Sequence, residues 1–149
     1  MICSQAHAQW KYQSNDNKKA IEAVGEIKFN RVINDTLTFN LSKSRKLGLD
    51  FSILGNYFKP EGEYYVLFEI SAQKIKVIQS IVEQNRYRIV EVKDLVSNEK
   101  FELEDFLKIL KRGEDCVLTI RTNSQVIQGY NQLIGSGSVI NSVLNGQIP

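Results

Sequence analysis

The feature that most constrains this chain is a repeated alternation of apolar and polar residues with a period of two. In TLTFNLS the apolar positions are Leu37, Phe39 and Leu41. Successive side chains of a β-strand point to opposite faces, so this alternation predicts a strand with one buried face. The same alternation recurs in AIEAVGEIKF (20–29) and KLGLDFSIL (46–54). Gly25, inside the first of these, predicts a bulge or a close approach of another segment.

Further strand signals follow along the chain. EYYVLFEIS (63–71) is apolar on both sides, which predicts a central strand that is covered on both faces. KIKVIQSIV (74–82) and RYRIVEV (86–92) predict a hairpin that turns near Glu83-Gln84-Asn85. Three shorter runs, KFEL, CVLTIRT and QVIQGYNQLI, predict additional strands, and the second of them places Cys116, Leu118 and Ile120 inward.

Two segments have helical spacing instead. LEDFLKILKRG (103–113) repeats apolar residues at i, i+3, i+4 and i+7, with acidic residues at its start, basic residues at its end and Gly113 as a stop. GSGSVINSVLNG (135–146) predicts a short terminal helix with Ser136 or Ser138 as its N-cap. The chain is therefore predicted to be mainly β: an antiparallel β-sandwich or strongly curved sheet of about eight strands with two short helices.

The N-terminus bears on the compartment. Ala6-His7-Ala8 resembles a signal-peptidase site, although no charged start or apolar run precedes it. We interpret residues 1–8 as the remnant of a signal peptide and 9–149 as a single β-rich domain, with Trp10 as the first core residue. The protein is then periplasmic or secreted. The alternative is an ordinary N-terminus and a cytoplasmic protein.

Composition limits the possible functions. The 149 residues include 19 basic and 17 acidic side chains, a net charge of +2, which is too balanced to predict nucleic-acid binding. No stretch approaches the ~20 apolar residues that span a bilayer.

His7 is the only histidine, so a chain that begins at Gln9 has no histidine for catalysis or for a metal site. Cys116 would then lack a partner and is predicted to be a buried apolar residue. We expect no enzyme activity, no catalytic residues, no cofactor and no metal.

Three weaker patterns provide alternatives. Carboxylate catalysis on a glycan would require two facing carboxyl groups, and the candidates are Asp50, Glu61, Glu63 and Glu69. Gly135 to Ser138 could hold an anion at a helix N-terminus, although a tight turn explains this segment more simply. A cytoplasmic nucleic-acid module would use Arg86, Tyr87 and Arg88, since ssDNA- and RNA-binding sites combine stacking rings with basic side chains.

The segment NYFKPEGEYY (56–65) is the strongest candidate for a binding surface. It places aromatic side chains on both sides of a Pro-Glu-Gly turn, and tyrosine is favoured at protein interfaces because it has one polar end. We predict a partner-binding surface formed by Tyr57, Phe58, Lys59 and Tyr65. The alternative is that most of these side chains fill the end of the core.

The order of elements resembles a known family. An exported N-terminus with Trp is followed by TLTFNLS, LGLDFSI, YYVLFEI, EDFLKILKRG, CVLTIRT and LIGSGSVINSVL. This order is similar to that of small periplasmic β-sandwich proteins of the invasion-associated locus B type, and to periplasmic accessory proteins associated with type VI secretion. The resemblance implies an exported, non-catalytic sandwich that binds another protein as an accessory factor or inhibitor. It supplies no active-site residues.

Overall fold

The computed structural model describes residues 10–29, 36–133 and 135–148. The described elements are β1 (Trp10–Asn15), β2 (Ala20–Phe29), β3 (Leu37–Ser44), β4 (Gly48–Leu54), β5 (Tyr65–Ile70), β6 (Gln73–Glu83), β7 (Arg86–Asp94), β8 (Lys100–Glu102), α1 (Leu103–Arg112), β9 (Asp115–Arg121), β10 (Val126–Gln132) and α2 (Ser136–Asn145). The predicted strands and both predicted helices are confirmed, but β5 is not covered on both faces as predicted, since Tyr65, Leu67 and Glu69 on its outer face are only half-buried. The segment interpreted as a signal remnant, 1–8, lies outside the described residues.

Eight strands close into an antiparallel barrel in the ring order β2, β10, β9, β5, β6, β7, β4, β3. The ring closes because β3 pairs with β2 along eight residues, from Leu37 opposite Ile27 to Ser44 opposite Ala20. The predicted mainly β class with two helices is confirmed; the predicted sandwich is wrong, and the strongly curved sheet that was the other expectation closes on itself as a barrel. Period-two alternation is the same in both architectures. The closure depends on long-range pairing, which the alternation does not specify.

The two remaining described strands extend the barrel without joining the ring. β1 pairs with the first half of β2, on the edge that β10 occupies farther along that strand. β8 pairs with β7 at Glu91 to Lys93, beyond the point where β7 pairs with β4. β2 and β7 are long enough to bind two successive partners along one edge.

Aromatic side chains fill the barrel interior. The ring centre of Phe39 lies 5.9 Å from Trp10, 5.6 Å from Phe51 and 5.9 Å from Phe68. Phe106 of α1 packs against Phe51 and Phe68, at 6.0 and 5.1 Å, and brings the helix onto the core. Each of these phenylalanines is fully buried, and burial of a side chain of this size contributes roughly 1.5–3 kcal/mol.

Trp10 is a core residue, as predicted. Its side chain is 3% exposed, and its Nε1 donates a hydrogen bond to Asn131 Oδ1 at 2.8 Å. Gly25 makes this packing possible, since a Cβ at that position would lie 2.6 Å from the indole. The pairing of β2 with β3 is continuous through Gly25, and Gly25 lies opposite Trp10 in the β1 register without a shift, so the glycine marks a close approach and not a bulge.

The two helices begin and end in different ways. α1 has the predicted acidic first turn and basic last turn, and Gly113 ends it by donating its N–H to the carbonyl oxygens of Ile109 and Leu110. In α2 the predicted serine N-cap is wrong. Gly135 is the cap, at φ +87°, and Ser136 is the buried first residue of the helix. The positive φ favours glycine over serine at the cap. Among the described residues, no helix is long and apolar enough to cross a membrane.

Candidate functional site

The aromatic loop between β4 and β5 is held in place by its own side chains. Phe58 is fully buried, with its ring centre 5.1 Å from Tyr64 and 5.2 Å from Tyr87. The Tyr64 hydroxyl donates to the Tyr57 carbonyl at 2.8 Å and accepts the Lys59 N–H at 2.8 Å. The aromatic residues of this loop therefore mainly fill the end of the core.

The four predicted partner-binding residues have different positions in this arrangement. Phe58 lies in the core and can only support its neighbours, whereas Tyr57 is half-buried against the core. Lys59 is exposed in the loop, and Tyr65 is half-buried at the start of β5. Only Lys59 and Tyr65 present much of their side chains outside the core, and the role of all four as a binding surface stays a prediction.

Tyr65 is flanked by two cations on the outside of the barrel. Lys76 Nζ lies 4.9 Å from the centre of the Tyr65 ring, and Arg121 Cζ lies 5.5 Å from it. Arg121 is directly opposite Tyr65 in the β5–β9 pairing, and Val126, which is 58% exposed, is opposite Arg121 on β10. We call Tyr65, Lys76 and Arg121 the Tyr65 surface.

Sequence reasoning missed Lys76 and Arg121. They come from β6 and β9, and only the strand register brings them to Tyr65. The available signal was the alternation itself, because each of the two lies on the outward-facing parity of its strand. The alternation could identify Lys76 and Arg121 only if β6 and β9 were already known to be the neighbours of β5.

The Arg86-Tyr87-Arg88 segment does not form a stacking site. Tyr87 is 2% exposed, and burial raises the pKa of its hydroxyl. Arg86 and Arg88 both form ion pairs with the buried carboxylate of Asp50, and the Arg88 Nε lies 3.3 Å from Asp50 Oδ1. The Arg86 Nε also donates to Ser52 Oγ at 3.0 Å. Burial and the neighbouring Arg88 lower the pKa of Arg86, an effect partly opposed by Glu22.

The four carboxylates considered for glycan hydrolysis lie in three parts of the fold. Glu61 and Glu63 are exposed in the aromatic loop. Asp50 on β4 is paired with arginines, and Glu69 on β5 lies opposite Lys74. β4 and β5 are not neighbours in the ring. Two strands, β6 and β7, lie between β5 and β4, so Asp50 and Glu69 do not form a facing pair.

The glycine-serine segment at α2 packs against the other helix. A Cβ on Gly137 would lie 3.2 Å from the carbonyl oxygen of Lys111, in the last turn of α1. The first turn of α2 therefore meets the negative end of α1, an arrangement that favours a tight connection over an anion site. Within the described ranges, no group of three or more His, Cys, Asp or Glu side chains is placed to hold a metal ion.

Cys116 is a free and fully buried cysteine on β9. Burial raises the pKa of its thiol to about 12. Because the thiolate is the reactive form, this side chain is an inert part of the core at neutral pH.

No family model matches the chain, and no curated protein or solved structure matches it. The resemblance to periplasmic sandwich proteins therefore stays a prediction. A functional proposal has to rest on the chemistry of the described surfaces.

Proposed function

We propose that this protein is an exported, non-catalytic binding domain that recognises an acidic surface of a protein partner through the Tyr65 surface. One observation carries the proposal: an outward-facing tyrosine held between a lysine and an arginine of neighbouring strands. Tyrosine and arginine are enriched among residues that dominate binding energy at protein interfaces. The role would be that of an accessory factor or inhibitor.

The charges of this surface indicate the kind of partner. The ion pairs found among the described residues involve Arg86, Arg88 and Lys108, and none involves Lys76 or Arg121. Lys76 and Arg121 can therefore bind carboxylates of a partner while their charged groups remain over the Tyr65 ring. Their aliphatic stems and the ring supply apolar contact area, and charge-assisted hydrogen bonds to carboxylates supply specificity.

The pairing of β5 with its neighbours supports a rigid surface. Tyr65, Lys76 and Arg121 lie on three adjacent strands of a closed ring, so their relative positions are fixed by backbone hydrogen bonds. A preorganised surface loses little side-chain entropy on binding. A rigid barrel can therefore present these side chains with a smaller entropic cost than a loop would.

A double charge reversal tests the proposal. Lys76→Glu with Arg121→Glu should abolish capture of the partner from an envelope extract, because two attractive contacts become repulsive. The conservative pair Lys76→Arg with Arg121→Lys should retain capture. Lys11→Glu with Lys100→Glu is the matched control, since both residues are exposed strand lysines outside the Tyr65 surface. Undiminished capture by the first double variant would refute the proposal.

The same variants discriminate against the nucleic-acid alternative. A surface that binds phosphates should retain the protein on heparin at low salt, with a steep loss of binding as salt rises. Wild-type protein that is not retained on heparin at low salt would dismiss the nucleic-acid alternative, whereas salt-sensitive binding of a single-stranded oligonucleotide that competes with the captured protein would make the protein-partner proposal wrong.

Export has its own test, supported by the Ala6-His7-Ala8 sequence. Protein purified from its native cells should have Gln9 as its first residue. A mature protein that retains the residues before Gln9 would contradict the export proposal and leave the binding surface unaffected.

A further inference from the structure

We infer that the barrel carries a second binding site, on the outer face of β2, β3, β4 and β7, for a small organic anion that also has a hydroxyl or amino donor. This inference is independent of the Tyr65 surface. In the ring order, β3 and β4 lie opposite β9 and β5, so the two sites occupy opposite sides of the barrel.

The first observation is an unusual concentration of buried polar side chains. Outward-facing residues of a soluble barrel are normally solvated, whereas inward-facing residues are apolar. Eight polar residues are buried in the described part of the chain, and four of them belong to this outer face: Glu22, Ser44, Asp50 and Ser52. Burial of polar groups costs free energy unless they are hydrogen-bonded. Such a cluster on a surface that could have been solvated indicates a built site.

The register places these side chains in adjacent rows. Ser42 of β3 lies between Glu22 of β2 and Asp50 of β4, and Asn40 lies opposite Ser52. All five side chains share the outward parity of their strands. The rows therefore form a continuous polar floor across three strands.

Arg86 forms one wall and is fixed before any ligand binds. Its guanidinium forms an ion pair with Asp50 and donates to Ser52 Oγ, while the Ser52 hydroxyl donates to Asp50 Oδ1 at 3.1 Å. Asp50 is 1% exposed and also pairs with Arg88. A buried carboxylate thus holds the arginine in one orientation, as the supporting shell of a binding site does.

Part of this floor (Glu22, Asn40, Ser42 and Ser44) and the Arg86 wall border an open cavity of about 380 Å³, which Asp50 and Ser52 support from outside its lining. Its rim is formed by the β1–β2 turn, with Asn17 and Lys18, and by the β3–β4 turn, with Lys46 and Leu47. The volume lies within the range of small-molecule sites, which is about 300–1,000 Å³. The lining contains no aromatic side chain, so stacking on a sugar ring or a base does not contribute to recognition.

The charges define the class of ligand. The charged side chains that line the cavity are Lys18, Lys46, Arg86 and Glu22; because Arg86 is already paired with Asp50, the excess of positive charge comes from Lys18 and Lys46. An anionic group is favoured by this excess. Glu22 is 5% exposed and accepts hydrogen bonds from Gln13 Nε2 at 2.9 Å and Asn15 Nδ2 at 3.3 Å. The Glu22 carboxylate can accept hydrogen bonds from further donors. The ligand therefore needs a hydroxyl or amino group in addition to its anionic group.

A second cavity of similar size does not fit this ligand. It lies between β4, β7 and the start of α1, and its volume is about 400 Å³. Its lining includes Glu91, Glu102 and Glu104 beside Arg88, and these acidic side chains would repel an anion.

The test is an NMR titration of the full chain with three kinds of probe. Inorganic phosphate has only the anion, D-glucose has only the hydroxyl groups, and glucose 6-phosphate and L-serine have both. At least one probe of the third kind should shift the amide resonances of Glu22, Ser42 and Ser44, with an affinity at least tenfold higher than that of phosphate or glucose. If neither of them exceeds phosphate, or if the shifts map to other residues, the inference is overturned.

Two pairs of variants assign the roles. Glu22→Gln should lower the affinity for the best probe about tenfold and not lower the phosphate affinity, since it removes a negative charge from the lining, whereas Glu26→Gln, at an exposed position of the same strand, should have no effect. Lys46→Met should weaken both phosphate and the best probe, and Lys28→Met should weaken neither. Lys46 lies in an exposed turn, so its replacement tests the site even if Glu22→Gln disturbs folding. Equal affinities across all four variants would overturn the inference.

Discussion

At the scale of single residues, Gly25 and Trp10 are a matched pair. The indole lies against the backbone of Gly25, stacks on Phe39 and donates a hydrogen bond to Asn131. The sequence predicts a β-bulge or a close approach of another segment at Gly25. Its partner could not be identified there, because the contact spans strands and is defined only by the β1–β2 register.

Replacement of this glycine tests the packing. Gly25→Ala should lower the free energy of unfolding by about 1–3 kcal/mol, since the added methyl overlaps the indole in a filled core. Urea unfolding at equilibrium measures the change. In a Trp10→Leu background the same replacement should cost much less, because the flat ring that it meets is absent. An equal cost in both backgrounds would show that Trp10 is not the cause.

Cys116 supports a second prediction at this scale. Its buried thiol, with a pKa of about 12, should not react with a thiol reagent in the folded protein at neutral pH. A Cys3→Ser variant leaves Cys116 as the single cysteine of the chain. In this variant, modification should occur only as fast as the protein unfolds and should become complete in denaturant. Rapid labelling of the native protein would contradict the buried position.

At the scale of elements, the turn between β7 and β8 depends on one carboxylate. Asp94 accepts hydrogen bonds from Gln73 Nε2 at 2.8 Å and from the backbone N–H groups of Val96 at 2.8 Å and Ser97 at 3.0 Å. The Gln73 side chain, followed by the Ser97 and Val96 backbones, holds the pKa of Asp94 below its usual value. The ionised carboxylate thus stabilises the turn.

The pH dependence of this contribution follows from the sign of the shift. Because the pKa is lower in the folded state, the stabilisation is complete above the unfolded value, ~3.9, and is lost as the pH falls through the lower folded value. Asp94→Asn should therefore destabilise the protein at neutral pH, with a difference from wild type that shrinks in acid. Urea midpoints of both proteins across this pH range measure the effect. Glu61→Gln, at an exposed position of the loop between β4 and β5, is the control. A difference that stays constant with pH would contradict this role of Asp94.

The sequence predicts individual elements well because their signals are local. The apolar spacing of Leu103 to Leu110 and the acidic and basic ends of α1 are sufficient to place that helix. The cap of α2 could not be assigned in the same way. Ser136 has the residue type of an N-cap, but the turn that ends β10 places Gly135 at positive φ and turns Ser136 into the buried first residue. Whether Gly135 or Ser136 is the N-cap depends on how α2 packs against the rest of the protein.

At the scale of the whole molecule, closure of the ring determines which residues share a surface. β2 pairs with β3, its neighbour in sequence, and also with β10, which is remote in sequence. The pairings of β5 with β6 and β9 place Lys76 and Arg121 beside Tyr65, and the pairing of β4 with β7 places Arg86 beside Asp50. Phe58, a predicted partner-binding residue, lies instead in the core, where it packs against Tyr64 and Tyr87. The residue types of both candidate sites were visible in the sequence; their grouping was not.

Site-specific photo-crosslinking tests the proposed function most directly. A photoreactive amino acid at position 65, introduced into the native cells, should form one discrete adduct with a protein partner. The same group at position 12 should form none, since Tyr12 is exposed on β1, away from the Tyr65 surface. The adduct should disappear when Lys76 and Arg121 are both replaced by glutamate. No adduct at position 65, or the same adduct at both positions, would contradict the account.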